Sequence, residues 1–260
     1  MCPEIELFGR VFPSYGITVA IGICIGFGLC LYYAPKHEMS VDAYIDLMIC
    51  LLAGGLAGAK LLAVIVNLKQ VLNGSMTIIQ ALGVTVVYGG IIGGLIVCSL
   101  YCKIKKVPFW RYADLALPCA AITQGIGRIG CLLAGCCYGM EYDGFGSILF
   151  HNSLLAPNGV HLFPSQIVSS AFMILYGTIS LIQCNKKKHK TGELATNYFI
   201  VYGLARFAIE FFRGDAERGF IFGLSTSQFI SIFFFATGIV LKVLSLKKWQ
   251  TKENANIKSA

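Results

Sequence analysis

Apolar residues run along this chain in blocks of roughly 20 separated by short polar stretches, the spacing of helices that cross the ~30 Å hydrocarbon core of a bilayer. About seven such blocks are legible, at residues 14–34, 44–66, 82–102, 112–134, 165–183, 195–212 and 224–246. Between them lie short connections and one longer loop, 135–164, and a polar stretch begins at Lys247. The pattern predicts an all-α polytopic membrane protein with one transmembrane domain over residues 1–246 and a basic cytoplasmic tail over 247–260. Neither a charged leader nor a small-residue cleavage site precedes the first block, so that block is expected to stay in the membrane.

Composition strengthens this reading. The 260 residues are 56% hydrophobic and 13% charged, with a mean hydropathy of +0.71, whereas a soluble domain is about 25% charged. The net charge of +8 is unevenly placed. Lys103, Lys105, Lys106 and Arg111 follow the third block, and Lys186, Lys187, Lys188 and Lys190 the fifth. Lys242, Lys247, Lys248, Lys252 and Lys258 end the chain, while the alternate connections carry Arg10, Lys69, Arg213 and Arg218. The positive-inside rule then puts the N-terminus outside and the C-terminus in the cytoplasm. The basic inner face has no aromatic-interleaved domain beside it. Topology and attraction to anionic lipid explain it, and no nucleic-acid partner is expected.

This topology assigns a depth to each intramembrane polar group. Tyr15 starts the first span, Lys60 ends the second, and Tyr88 with Gly89 and Gly90 starts the third. Arg128 lies near the end of the fourth span, Gln166 begins the fifth, Arg206, Glu210 and Arg213 close the sixth, and Ser225, Ser227 and Gln228 begin the seventh. Asp46 lies near the inner surface, and nearly every other one converges on the outer leaflet. Charges in membrane helices are costly and by default mark a functional site. Two readings stand. Arg206 and Glu210, one turn apart, form a structural pair, or Glu210 sits among several cations in an anion-binding pocket. The pocket is favoured, because a simple pair leaves Arg128 and Lys60 without an acid.

The stretch "QGIGRIGCLLAGCCYG" (124–139) contains G-x-G-x-x-G, but a dinucleotide site needs a strand before it and a soluble helix after it. Here "LALPCAAIT" precedes it, the body of a membrane helix. Glycines at this spacing let membrane helices approach closely, as they do in "YGGIIGG" and "GGLAGAK". What remains is Arg128 on a helix stripped of bulk, a guanidinium suited to bidentate phosphate recognition. Of the eleven cysteines, only Cys131, Cys136 and Cys137 cluster. They lack C-x-x-C spacing, and a zinc site needs a further ligand such as His151 or His161. Small residues lining a packed helix end are the simpler account, with a redox or metal role as the alternative. No metal and no cofactor is expected.

Together these blocks resemble the prolipoprotein diacylglyceryl transferases. The likeness rests on "SYGITVAIG", "GAK", "YGGIIGG", "GRIG", "PSQ", "YGLARFAIEFFR" and "LSTSQFISI", in order and at the family's spacing from about Tyr15 to Leu246. It implies a seven-helix enzyme of the bacterial plasma membrane with an outer-leaflet site. Such an enzyme moves the diacylglyceryl group of phosphatidylglycerol to the cysteine thiol of a prolipoprotein lipobox and releases glycerol phosphate. By position, Arg128 and Arg206 hold the phosphate, Glu210 orients Arg206 and the headgroup, and Tyr15 and Gln166 line the pocket. Lys60, Gly89, Gly90, Arg213 and Cys131 complete the expected substrate contacts. The reaction needs a thiolate, since a thiol of pKa ~8.5 is mostly protonated near neutral pH.

The chain departs from the family's pattern in three places. Tyr88 stands where a histidine is usual, Lys60 replaces an arginine, and the two asparagines and glutamate after Gly-Arg-x-Gly become Cys131, Ala134 and Cys136. Tyr88, with a pKa ~10, is a poor base. Glu210 is therefore the expected proton acceptor, with Tyr88 positioning substrate. The departures leave a diverged lipid-binding relative, or one using another acceptor, open. A transporter would instead carry midplane polar groups and an internal repeat, and no clear repeat is present.

Overall fold

The computed structural model describes residues 4–7, 9–153, 155–187, 189–215, 219–221 and 223–258. Lys188 and Arg218, counted above in the charge pattern, lie outside them. The longer helices are α1 (Ser14–Tyr33), α2 (Val41–Val66), α5 (Val87–Ile104), α6 (Phe109–Ala134), α7 (Ser165–Asn185), α8 (Glu193–Glu210) and α9 (Thr226–Lys258); α3 (Leu68–Leu72) and α4 (Ile78–Gly83) are short. Each apolar block of the sequence coincides with a helix. Helices α1, α2, α6, α7 and the Thr226–Ser245 part of α9 are long and apolar enough to cross a membrane, which makes this a multi-pass membrane protein. Two blocks fall short of that measure for evident reasons. Helix α8 carries Glu193, Arg206 and Glu210 within 18 residues, and the apolar stretch of α5 is only Tyr88–Ile104.

The block expected as one span over 82–102 is divided. Helix α4 closes at Gly83, residues 84–86 run extended, and α5 starts at Val87. The β-branched run Val84–Thr85–Val86 loses side-chain freedom in a helix. Thr77 and Gln80 start α4 with a reciprocal capping box, the threonine side chain accepting from Gln80 N and Gln80 Oε1 from Thr77 N. The polar stretch from Lys247 is not a separate coil: the backbone of α9 stays helical to Lys258, and residues 259–260 lie outside the described set.

The chain folds as two compact units, Ala34–Tyr112 and the remainder, with the boundary in the first turn of α6. The first is organised by α2 against α5. Facing G-x-x-x-G steps, Gly54–Gly58 and Gly89–Gly93, bring the backbones together: a Cβ added at Gly54 would lie 2.8 Å from Gly93 O, and Gly58 and Gly89 approach more closely still. At one end of the pair Tyr101 donates to Asp46 Oδ2 at 2.7 Å.

The other unit packs α1, α6, α7, α8 and α9, with a core of Ala121, Met173 and Tyr198 drawn from α6, α7 and α8. Helix α8 begins at Gly192, φ +87°, where Asp114 of α6 takes the N–H groups of Ala195 (2.9 Å) and Gly192. A buried carboxylate thus caps another helix's positive end. The three glycines of the G-x-G-x-x-G stretch have three duties. Gly125 lets α7 approach, 3.0 Å from Ser170 O; Gly130 lets α1 approach at Thr18 and Tyr15; Gly127 faces a cavity. The 135–164 loop folds on its own small core of Phe150, Ala156 and Leu162. It is tied to the end of α8 by Met140 N to Phe212 O (2.9 Å) and Gly214 N to Tyr138 O (3.1 Å).

Candidate active site

In the larger unit the N-terminal ends of α1, α7 and α9 meet the C-terminal ends of α6 and α8. Their polar residues surround a cavity of about 770 Å³, lined by Tyr15, Arg128, Cys131 and Arg206 at its polar part and by residues such as Ile23 and Phe172 elsewhere. That is the volume range of small-molecule sites, ~300–1,000 Å³.

Glu210 organises the charges. Its side chain is 1% exposed; Oε2 lies 2.8 Å from Arg206 Nη2 and 3.4 Å from Arg213 Nη1, and Oε1 accepts from Ser225 Oγ at 3.0 Å. Ser225 does two jobs. It caps α9, exchanging bonds with Gln228 through Ser225 N to Gln228 Oε1 (3.0 Å) and Gln228 N to Ser225 Oγ (3.1 Å), a capping box. Its hydroxyl proton then goes to Glu210. Arg206 Nη2 also donates to Ser227 Oγ at 2.8 Å. Arg213 forks onto Asp215, Nε to Oδ1 at 2.9 Å and Nη2 to Oδ2. Arg206 and Glu210 thus pair, and the pair stands beside further cations.

Arg128 differs. Among the described residues it makes no ion pair and no hydrogen bond, yet it lies close enough to Arg206 and Arg213 for mutual repulsion. Three guanidiniums against the carboxylates of Glu210 and Asp215 leave one positive charge beside the cavity. Arg128 also borders a second, smaller cavity of about 210 Å³ on the side of Gln166. Gln166 is 1% exposed and donates from Nε2 to Cys136 O at 2.9 Å, while Ser165 Oγ donates to Cys137 O at 2.8 Å. These two residues fix the turn after α6.

That turn explains the cysteine cluster. Gly135 takes φ +73° at the helix end, with Cys136 N bonded to Cys131 O (3.0 Å) and Gly135 N to Leu132 O (3.2 Å). This is a Schellman motif, which sets the residue after the glycine over the residue four positions before it. Cys136 thereby meets Cys131, and a left-handed Cys137 (φ +56°) turns the chain back. The three sulfurs lie within 4.8 Å of one another. The neighbouring thiols Cys131 and Cys136 hold Cys137 below the usual thiol range, with Arg213 and Arg128 adding to the pull, and Cys136 is pushed up by Cys131 and Cys137. Neither His151 nor His161 joins the group; His161 Nδ1 pairs with Ser147 Oγ at 3.0 Å.

The remaining expected residues belong to the Ala34–Tyr112 unit. Lys60 reaches Thr85 Oγ1 at 3.1 Å and Val84 O at 3.4 Å, so it braces the extended break before α5. Tyr88 is 45% exposed on the first turn of α5. Gly89 and Gly90 turn toward α2, Gly90 placing a Cβ position 3.3 Å from Gly55 O. They are packing glycines. Sequence reasoning missed Asp215 and Asp114: the first stands outside the helices, where a charge costs nothing, and the second has the burial cost of a membrane acid as its only signal.

Membrane-length helices around a largely apolar cavity with guanidiniums at one end define a class, multi-pass membrane proteins with a charged intramembrane cavity. Relatives give the particular case. A model of the prolipoprotein diacylglyceryl transferase family matches residues 5–244. A phosphatidylglycerol–prolipoprotein diacylglyceryl transferase of Clostridium tetani is 41% identical over 235 residues, covering 90% of this chain and 93% of its own. The enzyme numbered 2 under that name in Clostridium perfringens is 41% identical over 238 residues (91% and 92%), and one of Dehalococcoides mccartyi is 32% identical over 242 (92% and 91%). The chain belongs to the prolipoprotein diacylglyceryl transferase family.

Proposed function

We propose that this protein transfers the diacylglyceryl group of phosphatidylglycerol to a lipobox cysteine thiol of a prolipoprotein, releasing glycerol phosphate. The observation that carries the reading is the surplus positive charge of the Arg128–Arg206–Arg213 group beside the 770 Å³ cavity. A phosphodiester brings one negative charge to it, and the apolar part of the cavity suits acyl chains. We read the charge pattern as seven spans with the N-terminus outside, with the site in the outer leaflet of the plasma membrane and a single catalytic domain over residues 1–246.

The reaction is a displacement at the CH₂ carbon bonded to the phosphate oxygen. The sulfur attacks that carbon, the C–O bond breaks, and the electron pair stays on phosphate. Arg128 and Arg206 stabilise the charge that builds there. Arg206 spends Nη2 on Glu210 and Ser227, leaving the rest of its fork for the ligand. Both oxygens of Glu210 are engaged, Oε2 by Arg206 and Arg213 and Oε1 by Ser225. We therefore assign Glu210 to holding Arg206 and Arg213 in place, in preference to the proton-accepting role expected from sequence. Tyr15 and Cys131 line the substrate's path. Tyr88, Lys60, Gly89 and Gly90 belong to the second unit, where Tyr88 is exposed.

The test is transfer from phosphatidylglycerol to a lipobox peptide in proteoliposomes, read as thioether product by mass spectrometry. Arg128→Ala and Arg206→Ala are each expected to lose roughly 100-fold or more while inserting normally, and Arg128→Lys to be strongly impaired because an ammonium cannot grip two oxygens. Near-normal product from either alanine variant would remove the pocket assignment.

A further inference from the structure

Three thiols share one corner of the cavity, and among the described residues they are the only group of histidine, cysteine and acidic side chains placed to hold a metal. We propose that Cys131, Cys136 and Cys137 hold a thiophilic divalent ion, zinc by its chemistry, and that the acceptor thiol of the transfer reaction binds in the ion's fourth position. The inference rests on the transfer reaction proposed above.

Four observations support it. The sulfurs already lie within 4.8 Å of each other; tetrahedral zinc with bonds of ~2.3 Å needs them about 3.8 Å apart, a rotamer adjustment. The arrangement is held from behind, because Gln166 and Ser165 fix the carbonyls of Cys136 and Cys137 and the Schellman bonds fix Cys136 over Cys131. Three protein ligands and no fourth is the pattern of a catalytic zinc site, whose open position receives water or substrate. All three cysteines line the large cavity together with Arg128, so that position opens where substrate binds.

The chemistry answers a need that the side chains leave unmet. A thiol must become a thiolate near neutral pH, Glu210 is occupied, and Tyr88 is a poor base. Binding to zinc removes the proton from the acceptor thiol, because the metal takes thiolate. The metal-bound sulfur then attacks the CH₂ carbon, the C–O bond to phosphate breaks, and the released proton balances the new phosphate charge. The metal keeps its oxidation state and is left with its three cysteines when the thioether departs.

The experiment uses the full-length, reduced, metal-stripped protein in detergent, titrated with cobalt(II). One equivalent is expected to produce sulfur-to-cobalt charge-transfer bands with a tetrahedral visible spectrum, which zinc then bleaches. A lipobox peptide with cysteine shifts the bands; the same peptide with serine does not. Cys131→Ser, Cys136→Ser and Cys137→Ser each weaken binding roughly 100-fold or more, and Cys137→His retains it with weaker charge transfer. Absence of saturable, sulfur-bound cobalt in the folded parent overturns the proposal, as do bands that the cysteine peptide leaves unmoved. Transfer measured on the same preparation separates the two ideas. Full activity after complete metal removal overturns the metal site and leaves the transferase reading standing. Peptide-dependent bands without any lipid transfer support the site and remove the transferase reading instead.

Discussion

Glu210 shares one carboxylate oxygen between two guanidiniums, so its replacement by an isosteric amide releases both at once. We expect Glu210→Gln to lower kcat by roughly 100-fold or more, with KM for phosphatidylglycerol unchanged or lower because the site gains positive charge. Raising the pH to about 8.5, where a thiol ionises by itself, separates positioning from base catalysis. A base variant recovers there; a positioning variant does not. Tyr88→Phe is expected to lose only a few-fold. Complete loss in Tyr88→Phe with an active Glu210→Gln would reverse the two roles. At this scale the sequence was most informative about charges, because Arg128, Arg206 and Glu210 stand out against an apolar background. It said little about what they touch. Ser225 reads only as a polar residue at the start of the last span, and folding sets its hydroxyl against a carboxylate 15 residues away.

Helix pairing rests on small residues, and the α2–α5 pair depends on facing glycine backbones. Gly58→Leu or Gly89→Leu is expected to force the helices apart and sharply reduce the yield of monodisperse protein in detergent, whereas Gly28→Leu, with open space around its Cβ position, is tolerated. Equal yields from all three, by size-exclusion chromatography, would show that the contact is dispensable. Hydrophobic periodicity located every long helix, since apolar length is what lipid demands. It misplaced the start of α5, because a run of apolar β-branched residues reads as continuous span while its backbone prefers to extend. The cysteines after α6 were legible as small residues at a helix end, but three sulfurs in one place depend on the Gly135 turn and the bonds from α7.

Orientation belongs to the molecule as a whole, since it follows from charge summed over many connections. With the N-terminus outside, Ser75 between α3 and α4 faces the exterior and Lys105 after α5 faces the cytoplasm; both are exposed. A membrane-impermeant maleimide on intact cells is expected to label Ser75→Cys well above the parent background and leave Lys105→Cys at that background. The opposite result inverts the topology and moves the proposed site to the inner leaflet. Native cysteines make poor reporters: Cys184, near the far end of α7, is 1% exposed and shielded from either side.

The surplus guanidinium has a thermodynamic side. Arg128 lies close enough to Arg206 and Arg213 for mutual repulsion, so the fold holds these charges together at a cost that its packing offsets. An anion that settles among them relieves that strain, and ligand that binds only the native state raises the melting temperature by mass action. Phosphatidylglycerol is therefore expected to raise Tm more than phosphatidylcholine with the same acyl chains, and the difference to shrink in Arg128→Met, whose own baseline Tm rises. On this view the membrane lipid that the enzyme consumes is also what steadies it between turnovers.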